Sequence, residues 1–318
     1  MKVLYITNMF PNKRDITYGV FVKEQIDAVE KIEKIEKDIY VIEGKRGFVE
    51  YIRSIFIIPK LIAANKYDLI HIHYGLSGLF LLYMKPRIPV VITLHGGDIQ
   101  IEQGKTVQVA LTKRILRHCD FAITLNSIMN SIVMSYCRQT EIIPCSVNTN
   151  LFFDQGRRHK KNYFNILFPS ARNREVKDYP LFQRTCNILR KDYALDIHEF
   201  YIENMSRKEV ADLLNNMDIL LMTSISEGSP QVVKEAMACN LPIVSTNVGD
   251  VATLLMGVNN CYVSDSRNEE ELASKVYKAL VCKETKGVSP KDQIFKLGYD
   301  DATIAKRILR VYHHSINH

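Results

Sequence analysis

The sequence predicts an α/β protein in which two domains each contain a doubly wound parallel sheet. Short apolar runs alternate with longer stretches of helical periodicity along most of the chain, as in repeated strand–helix–strand units. The chain has 318 residues, enough for two cores of roughly 150 residues each. We therefore expect a first domain over residues 1–155, a second over 162–298 and a terminal helix over 299–318.

The composition is typical of a cytoplasmic globular protein. Hydrophobic residues make up 47% of the chain and charged residues 24%, and no apolar run reaches the ~18 residues of a membrane span. The amino terminus lacks the features of a signal peptide. Seven cysteines without paired spacing indicate reduced thiols and no metal site. The net charge of +7 favours anionic ligands or a membrane surface, but no pattern typical of nucleic-acid binding is present.

Five short apolar runs predict the strands of the first domain, over residues 3–7, 39–42, 69–73, 90–94 and 121–125. A helix is expected over residues 19–36, where Val22, Ile26, Val29 and Ile32 form an apolar stripe. Ligands of such sheets bind at the loops that leave the carboxyl ends of the strands. The loop that follows residues 121–125 begins with Asn126-Ser127, which we interpret first as an N-cap and second as an acceptor contact.

Residues 47–64 are strongly apolar, and the segment 45–64 also carries Lys45, Arg46, Arg53 and Lys60. A basic amphipathic helix of this kind can rest on an anionic membrane surface. The alternative is a core helix of the first domain that is interrupted near Pro59. If this helix contacts the membrane, we expect a cytoplasmic protein that is peripheral at the inner face of the membrane.

The second domain is predicted to contain strands over residues 164–168, 197–202, 218–223 and 243–245, with helices over 206–216, 230–239 and 269–281. The terminal helix is expected over residues 301–314, because Ile304, Ile308 and Val311 recur at helical spacing.

The helix over residues 230–239 is the centre of the predicted site. Ser229 is expected to be its N-cap and Pro230 its first residue, since proline needs no amide partner there. Asn240 is expected in the left-handed conformation that ends a helix. The amides of Ser229, Gln231 and Val232, with the positive end of the helix dipole, favour a bound phosphate.

Two glutamates flank this helix start. Glu227 lies in the loop before it, where a side chain can reach a ligand on the helix end, and Glu235 lies well inside the helix. A carboxylate near a nucleotide most often accepts hydrogen bonds from ribose hydroxyls. The alternative for each glutamate alone is a solvated or salt-bridged surface residue.

The segment from Leu220 to Asp250 resembles the signature of the family 4 glycosyltransferases, retaining enzymes of the GT-B fold that use nucleotide sugars. Its matching features are Ser224, the Glu-x7-Glu pair, Ala236-Met237-Ala238, Leu241-Pro242 and Val248-Gly249. Asn240 and Asp250 stand where glycine is usual. Asparagine tolerates left-handed backbone better than most residues, so the first departure is mild.

Three other loops extend the resemblance. His95-Gly96-Gly97-Asp98 matches a His-Gly-x-Asp motif whose histidine lies at the reacting end of the donor. Asp98 could orient His95 or N-cap the next helix, and we favour the cap. Arg172 and Lys177 keep the spacing of a Gly-Arg and Lys-Gly motif, although Ala171 and Asp178 replace its glycines. Gly19 stands where the family has a Gly-Gly turn that approaches the donor diphosphate. His71 and His73 are expected to pack in the sheet without a role at the site.

The resemblance implies two Rossmann-like domains facing a cleft, with the terminal helix crossing back to the first domain. It implies transfer of a sugar from a nucleotide diphosphate to a saccharide or lipid-linked acceptor, with retention and without a metal ion. Arg172, Lys177, Gly19 and the helix that starts at Pro230 would bind the diphosphate, and Glu235 the ribose. Glu227 and His95 would act on the sugar. Two alternatives remain: a nucleotide-sugar epimerase of the same fold, and a non-catalytic nucleotide-sugar-binding subunit.

Overall fold

The computed structural model describes residues 1–13, 15–100, 106–158, 161–282 and 287–317. The chain forms two compact units, which are Met1–Ser146 with Asp301–His318 (unit 1) and Val147–Asp300 (unit 2). Unit 1 therefore ends before residue 155, where the first domain was predicted to end. The reason is that Val147 belongs with the end of unit 2: its amide donates to the Tyr299 carbonyl over 2.9 Å, and it forms a parallel bridge with Asp300.

In its described residues, unit 1 contains a six-stranded parallel sheet with the strand order β2-β1-β3-β4-β5-β6. The strands are β1 (Lys2–Thr7), β2 (Glu36–Val41), β3 (Leu69–His73), β4 (Val90–Thr93), β5 (Phe121–Thr124) and β6 (Thr140–Ile142). The helices are α1 (Val20–Ile32), α2 (Val49–Ala64), α3 (Thr106–Leu116) and α4 (Ser127–Val133). Helix α1 ends earlier than predicted because Glu33 is extended, with φ −138°. That leaves β2 free to begin at Glu36.

The described part of unit 2 contains a five-stranded parallel sheet with the strand order β11-β10-β9-β7-β8. The strands are β7 (Phe164–Phe168), β8 (Ile197–Tyr201), β9 (Ile219–Met222), β10 (Ile243–Thr246) and β11 (Tyr262–Ser264). The helices are α5 (Tyr179–Lys191), α6 (Arg207–Asn216), α7 (Gln231–Ala238), α8 (Val251–Leu255), α9 (Glu269–Tyr277) and α10 (Pro290–Leu297).

The terminal helix α11 (Asp301–Asn317) packs in unit 1, against α1 and the sheet. Its apolar face buries Ile304, Ile308 and Val311 in one cluster with Val22 and Ile26 of α1. Ile32, the last residue of the predicted α1 stripe, is instead 41% exposed. The Arg307 side chain of α11 binds Glu141 of β6 and so ties the helix to the edge strand of the sheet.

Helix α2 is amphipathic, and Pro59 does not interrupt it. One side buries Tyr51, Ser54 and Ile58 in unit 1. The other side exposes Phe48, Val49, Ile52 and Phe56. The buried side agrees with the core-helix alternative, although without the interruption near Pro59. The contact of the exposed side with a membrane stays a prediction. Across the described residues, every helix is too short or too polar to traverse a bilayer.

Candidate functional site

The predicted donor-binding residues of unit 2 follow two adjacent strands. Arg172 and Lys177 lie in the loop after β7, and Glu227 to Val232 lie in the loop and helix after β9. Strands β7 and β9 pair in parallel, with Ile166 opposite Ile219. Both loops therefore leave the same edge of the sheet, which is where ligands of such sheets bind.

Lys177 and Glu227 are in direct contact. The Lys177 ammonium and the Glu227 carboxylate form an ion pair, and the Ser224 hydroxyl donates to the same carboxylate over 2.8 Å. Only 8% of Lys177 is exposed. The Thr223 hydroxyl donates to the Lys177 carbonyl over 3.0 Å, which fixes the backbone that carries the lysine. Lys177 was predicted to bind the diphosphate and Glu227 to bind the sugar, and the two side chains thus form one ion pair.

Arg172 is exposed at the same edge of the sheet. Its guanidinium carbon lies 4.2 Å from the ring centroid of Tyr201, at the end of β8, and 5.9 Å from that of Tyr179. Stacking on aromatic rings orients a guanidinium without neutralising it. In the part of the chain that the structure describes, Arg172 has no carboxylate partner, so its charge is available to an anion.

Helix α7 begins at Gln231, and Pro230 occupies its N-cap position with φ −68° and ψ 115°. The predictions that Ser229 is the N-cap and Pro230 the first helical residue are both wrong, because Pro230 has extended backbone and the helix starts one residue later. The Ser229 hydroxyl instead donates to Asp250 Oδ2 over 2.6 Å. Proline has no side-chain acceptor that could cap the amino end of α7, in keeping with a place for an anion. Asn240 ends the helix with φ 56°, as predicted.

The loop before α7 rests on the loop after β10. Gly249 has φ +58°, and a Cβ atom there would lie 2.5 Å from the Gly228 carbonyl oxygen. Asp250 is buried beside the fully buried Lys234. Burial raises the pKa of Asp250, while the Lys234 charge acts in the opposite direction. Neither residue was predicted to have a role at the site, although an aspartate in a usual glycine position is a signal in the sequence.

Glu235 is almost fully buried on α7. Its carboxylate accepts a hydrogen bond of 2.6 Å from the Arg207 guanidinium at the start of α6. The Arg207 guanidinium also lies 4.6 Å from the ring centroid of Phe152. Arg207 was not predicted as a site residue, because nothing in the sequence around it indicates that it pairs with Glu235. A ribose at Glu235 would share the carboxylate with Arg207.

In unit 1, His95 follows β4 and contacts other aromatic rings. Its Nε2 lies 3.3 Å from Nδ1 of His73, and its ring centroid lies 4.9 Å from that of Phe21. The His95 Nδ1 atom is buried and has no hydrogen-bond partner among the described residues. Burial lowers the pKa of His95 to about 3, so the imidazole is neutral at physiological pH. A neutral ring with one unpartnered nitrogen can bind a sugar hydroxyl.

Asp98 holds the backbone of its own loop, which agrees with the alternative to the predicted helix cap. The cap itself stays a prediction, because residues 101–105 before α3 lie outside the described residues. The buried Asp98 carboxylate accepts hydrogen bonds from the backbone amides of His95 and Gly75, each over 3.1 Å. The carboxylate reaches these amides because residues 96–100 turn back on themselves. Asp98 therefore positions the His95 loop. Burial raises the pKa of Asp98 to about 6, although the donating amides lower it.

His71 and His73 are fully buried on β3. His71 contacts the Tyr312 hydroxyl at 2.6 Å and the Thr93 hydroxyl at 2.8 Å. The rings of His71 and His73 lie 4.2 Å apart between centroids, and His73 stacks on His95. The prediction that both histidines pack in the sheet is confirmed, but His73 also contacts a predicted site residue.

Gly19 has φ +70°, and a Cβ atom there would lie 2.3 Å from the Met9 carbonyl carbon. The glycine thus lets the loop after β1 fold against its own backbone. Asn126 is the N-cap of α4, as predicted, since its side chain accepts from the Met129 amide over 2.9 Å. Asp178 replaces a family glycine and keeps the left-handed backbone with φ 50°. Within the described ranges, no group of three or more His, Cys, Asp or Glu residues could hold a metal ion.

Two family models match the chain. The model described as Glycosyltransferase Family 4 matches residues 14–151, and the model described as Glycosyl transferases group 1 matches residues 186–281. The first match spans most of unit 1 and the second lies within unit 2. Both halves of the molecule are therefore similar to glycosyltransferases.

Individual relatives and solved structures show the same similarity. An uncharacterised glycosyltransferase of Methanocaldococcus jannaschii is 23% identical over 87% of this chain and 84% of its own length. The putative teichuronic acid biosynthesis glycosyltransferase TuaC of Bacillus subtilis is 22% identical over 80% of this chain and 83% of its own length. The structure of HepE from Anabaena with UDP and glucose has a TM-score of 0.73 and 14% identity, covering 99% of this chain and all of that one (100%). With the two parallel sheets, these similarities confirm the GT-B fold.

Proposed function

We propose that this chain, which has the GT-B fold and is similar to glycosyltransferases in both units, is a retaining, metal-independent hexosyltransferase. It takes a sugar from a nucleotide diphosphate and transfers it to an acceptor hydroxyl. The observation that carries the proposal is the grouping of Arg172, Lys177, Glu227 and the amino end of α7 at one edge of the unit 2 sheet. Such an edge binds a leaving diphosphate electrostatically.

The diphosphate binds between a stacked guanidinium and a helix end. Arg172 supplies an available positive charge, and the amino end of α7, where Pro230 has no side-chain acceptor, supplies amide donors and the helix dipole. Lys177 contributes through its pair with Glu227: it neutralises the carboxylate, which would otherwise repel the phosphates. The extra negative charge that develops on the departing nucleotide is thereby stabilised without a divalent ion.

Glu227 and His95 act on the transferred sugar. The Glu227 carboxylate is held in one orientation by Lys177 and Ser224, so it can accept hydrogen bonds from sugar hydroxyls. The neutral His95 ring offers an unpartnered Nδ1, and Asp98 holds its loop. We expect retention through attack of the acceptor on the face that the phosphate leaves, with the leaving phosphate accepting the acceptor proton. Glu235 binds the ribose and shares its charge with Arg207.

Thermal unfolding with nucleotide sugars tests the donor assignment. A ligand that binds the native state raises the midpoint by mass action. UDP-, GDP- and ADP-linked hexoses should be compared, starting with UDP, since it is bound in the HepE structure. We expect one nucleotide class to raise the midpoint and the free nucleotide diphosphate to retain part of the shift. No shift with any of them would contradict the donor site.

A chelator tests whether the transfer activity is independent of a metal ion. Activity should persist when EDTA is added to protein that was purified with EDTA, because cations and a helix end balance the charge of the diphosphate. An activity that disappears with EDTA and returns with Mg²⁺ or Mn²⁺ would contradict this part of the proposal.

The acceptor is proposed to be a lipid-linked or membrane-associated saccharide, in the biosynthesis of a cell-surface polysaccharide or glycolipid. The exposed face of α2 carries Phe56 (67% exposed) and Val49 (71% exposed), and the helix and its approach carry the cations of segment 45–64. Apolar side chains beside cations favour the surface of an anionic bilayer. The relative TuaC, named for teichuronic acid biosynthesis, supports a role in making a surface polymer.

Sedimentation with phosphatidylglycerol vesicles tests this contact. The double variant Val49→Asp/Phe56→Asp should lose most of the vesicle-bound fraction. The control Val107→Asp changes a residue on α3 that is equally exposed (73%) and should bind like wild type. Equal binding of wild type and the double variant would refute the contact without affecting the donor assignment.

A further inference from the structure

A cavity of about 1120 Å³ lies in unit 1 at the amino ends of three neighbouring strands. Its walls include Pro89 before β4 and Val90 at its start, Cys119-Asp120 before β5 and Arg138-Gln139 before β6. Because these strands are parallel, His95 and Asn126 leave their opposite, carboxyl ends. The cavity is therefore separate from the loops assigned to sugar transfer.

Cations surround this cavity. Lys85, Arg87, Arg117 and Arg138 all line it. None of these four side chains pairs with a carboxylate in the described part of the chain. Asp120 is the carboxylate of the lining, and its Oδ2 accepts a hydrogen bond of 2.8 Å from the Val90 amide. Four like charges around one concave surface create a positive potential that attracts an anion.

The cavity also offers an aromatic ring, apolar surface and an unpartnered hydroxyl. The Arg117 guanidinium lies 5.5 Å from the ring centroid of Tyr136, which orients it at the wall. Met134 and Ile316 add apolar surface. The Ser315 hydroxyl oxygen is buried in this lining and has no hydrogen-bond partner among the described residues. A buried hydroxyl without a protein partner is available to a polar group of a ligand.

We propose that this cavity is a second anion site, which binds a phosphate-bearing ligand with an apolar portion. Guanidinium groups match phosphate geometry by paired hydrogen bonds, and three arginines are present. The volume exceeds the need of a single phosphate and suits a ligand of nucleotide or lipid-headgroup size. The phosphate chemistry is common to a free polyphosphate and to a lipid headgroup. The inference does not depend on the proposed glycosyl transfer.

Hydrogen exchange of the full chain with two probes tests the site and separates these sources. Inorganic pyrophosphate represents a free ligand, and phosphatidylglycerol vesicles, compared with phosphatidylcholine vesicles, represent a headgroup. We expect at least one probe to slow exchange in peptides that cover residues 117–120 and 134–139. Protection by pyrophosphate assigns a soluble ligand, and protection by the anionic vesicles alone assigns a headgroup. No protection of these peptides by either probe would overturn the proposal.

Charge reversal provides the matched comparison. The double variant Arg117→Glu/Arg138→Glu should lose this protection and bind the effective probe at least about tenfold more weakly at that site. The control Arg114→Glu/Lys31→Glu makes the same change in net charge at exposed residues outside the cavity, one of them on α3 beside Arg117. It should keep the protection. If both double variants lost the protection equally, the effect would come from net charge in general. That result, or protection kept in both, would overturn the proposed anion site.

Discussion

Acidification should destabilise unit 1 through its buried histidines. The His73 ring packs between those of His71 and His95, and burial lowers the pKa of all three histidines. The rings of Tyr5 and Tyr312 contact His71 as well. The pKa values are about 3 for His71 and His95, against an ordinary value of 6.5. Below pH 6.5 the unfolded chain takes up protons at these rings while the folded chain does not. Stability is therefore fully present above that pH and is lost as the pH falls towards 3.

The magnitude follows from the number of protons. One proton bound only by the unfolded state lowers the unfolding free energy by about 1.4 kcal/mol per pH unit. Three histidines act in this direction. Asp98 opposes them, because its pKa is raised from 3.8 to about 6 and the folded state takes up its proton first. The net uptake is about two protons, so stability should fall by about 3 kcal/mol per pH unit near pH 5.5.

Urea unfolding between about pH 6.5 and pH 5 measures this slope. Tyrosine fluorescence and circular dichroism can follow the transition, since the chain has 16 tyrosines and no tryptophan. His71→Gln should reduce the slope by about 1.4 kcal/mol per pH unit, whatever its effect on absolute stability. The control His198→Gln, at a side chain that is 51% exposed in unit 2, should leave the slope unchanged. A flat profile, or one that His71→Gln does not alter, would refute the reasoning.

Three further predictions concern unit 2. Lys177→Met leaves the Glu227 carboxylate without its cation. Turnover in a transfer assay should fall about a hundredfold, and the unfolding free energy from urea unfolding should fall by about 1–3 kcal/mol. Gly249→Ala should cost about 1–3 kcal/mol in the same unfolding assay, whereas Gly257→Ala, with φ +70° but open space around it, should cost less. Glu235→Gln should weaken UDP binding roughly tenfold by calorimetry, whereas Glu209→Gln, which keeps its capping box, should not.

The sequence was sufficient to predict the elements whose pattern is local. The strands around Val3, Leu69 and Phe164 follow from their apolar runs, and Asn240 and Asn126 occupy the predicted helix ends. Short strands escaped prediction. β6 and β11 have three residues each, too few for a periodic pattern, and they form because a parallel neighbour supplies their hydrogen bonds.

At the site, the residue types were predictable but their partners were not. Ser229 carries the local signature of an N-cap, yet Asp250, 21 residues away in the sequence, takes its hydroxyl. Lys177 and Glu227 were both identified, but their ion pair links positions 50 residues apart. Arg207 and Lys234 were missed for the same reason, since only the tertiary structure brings them to Glu235 and Asp250.

The central claim is that the edge of the unit 2 sheet binds a nucleotide diphosphate through an available guanidinium and a helix end. Calorimetric titration with UDP, or with the nucleotide diphosphate that raises the unfolding midpoint most, tests it directly. Arg172→Ala should weaken binding at least about tenfold. Arg174→Ala, an exposed arginine of the same loop, should bind like wild type. Equal affinity of wild type and Arg172→Ala would contradict the claim.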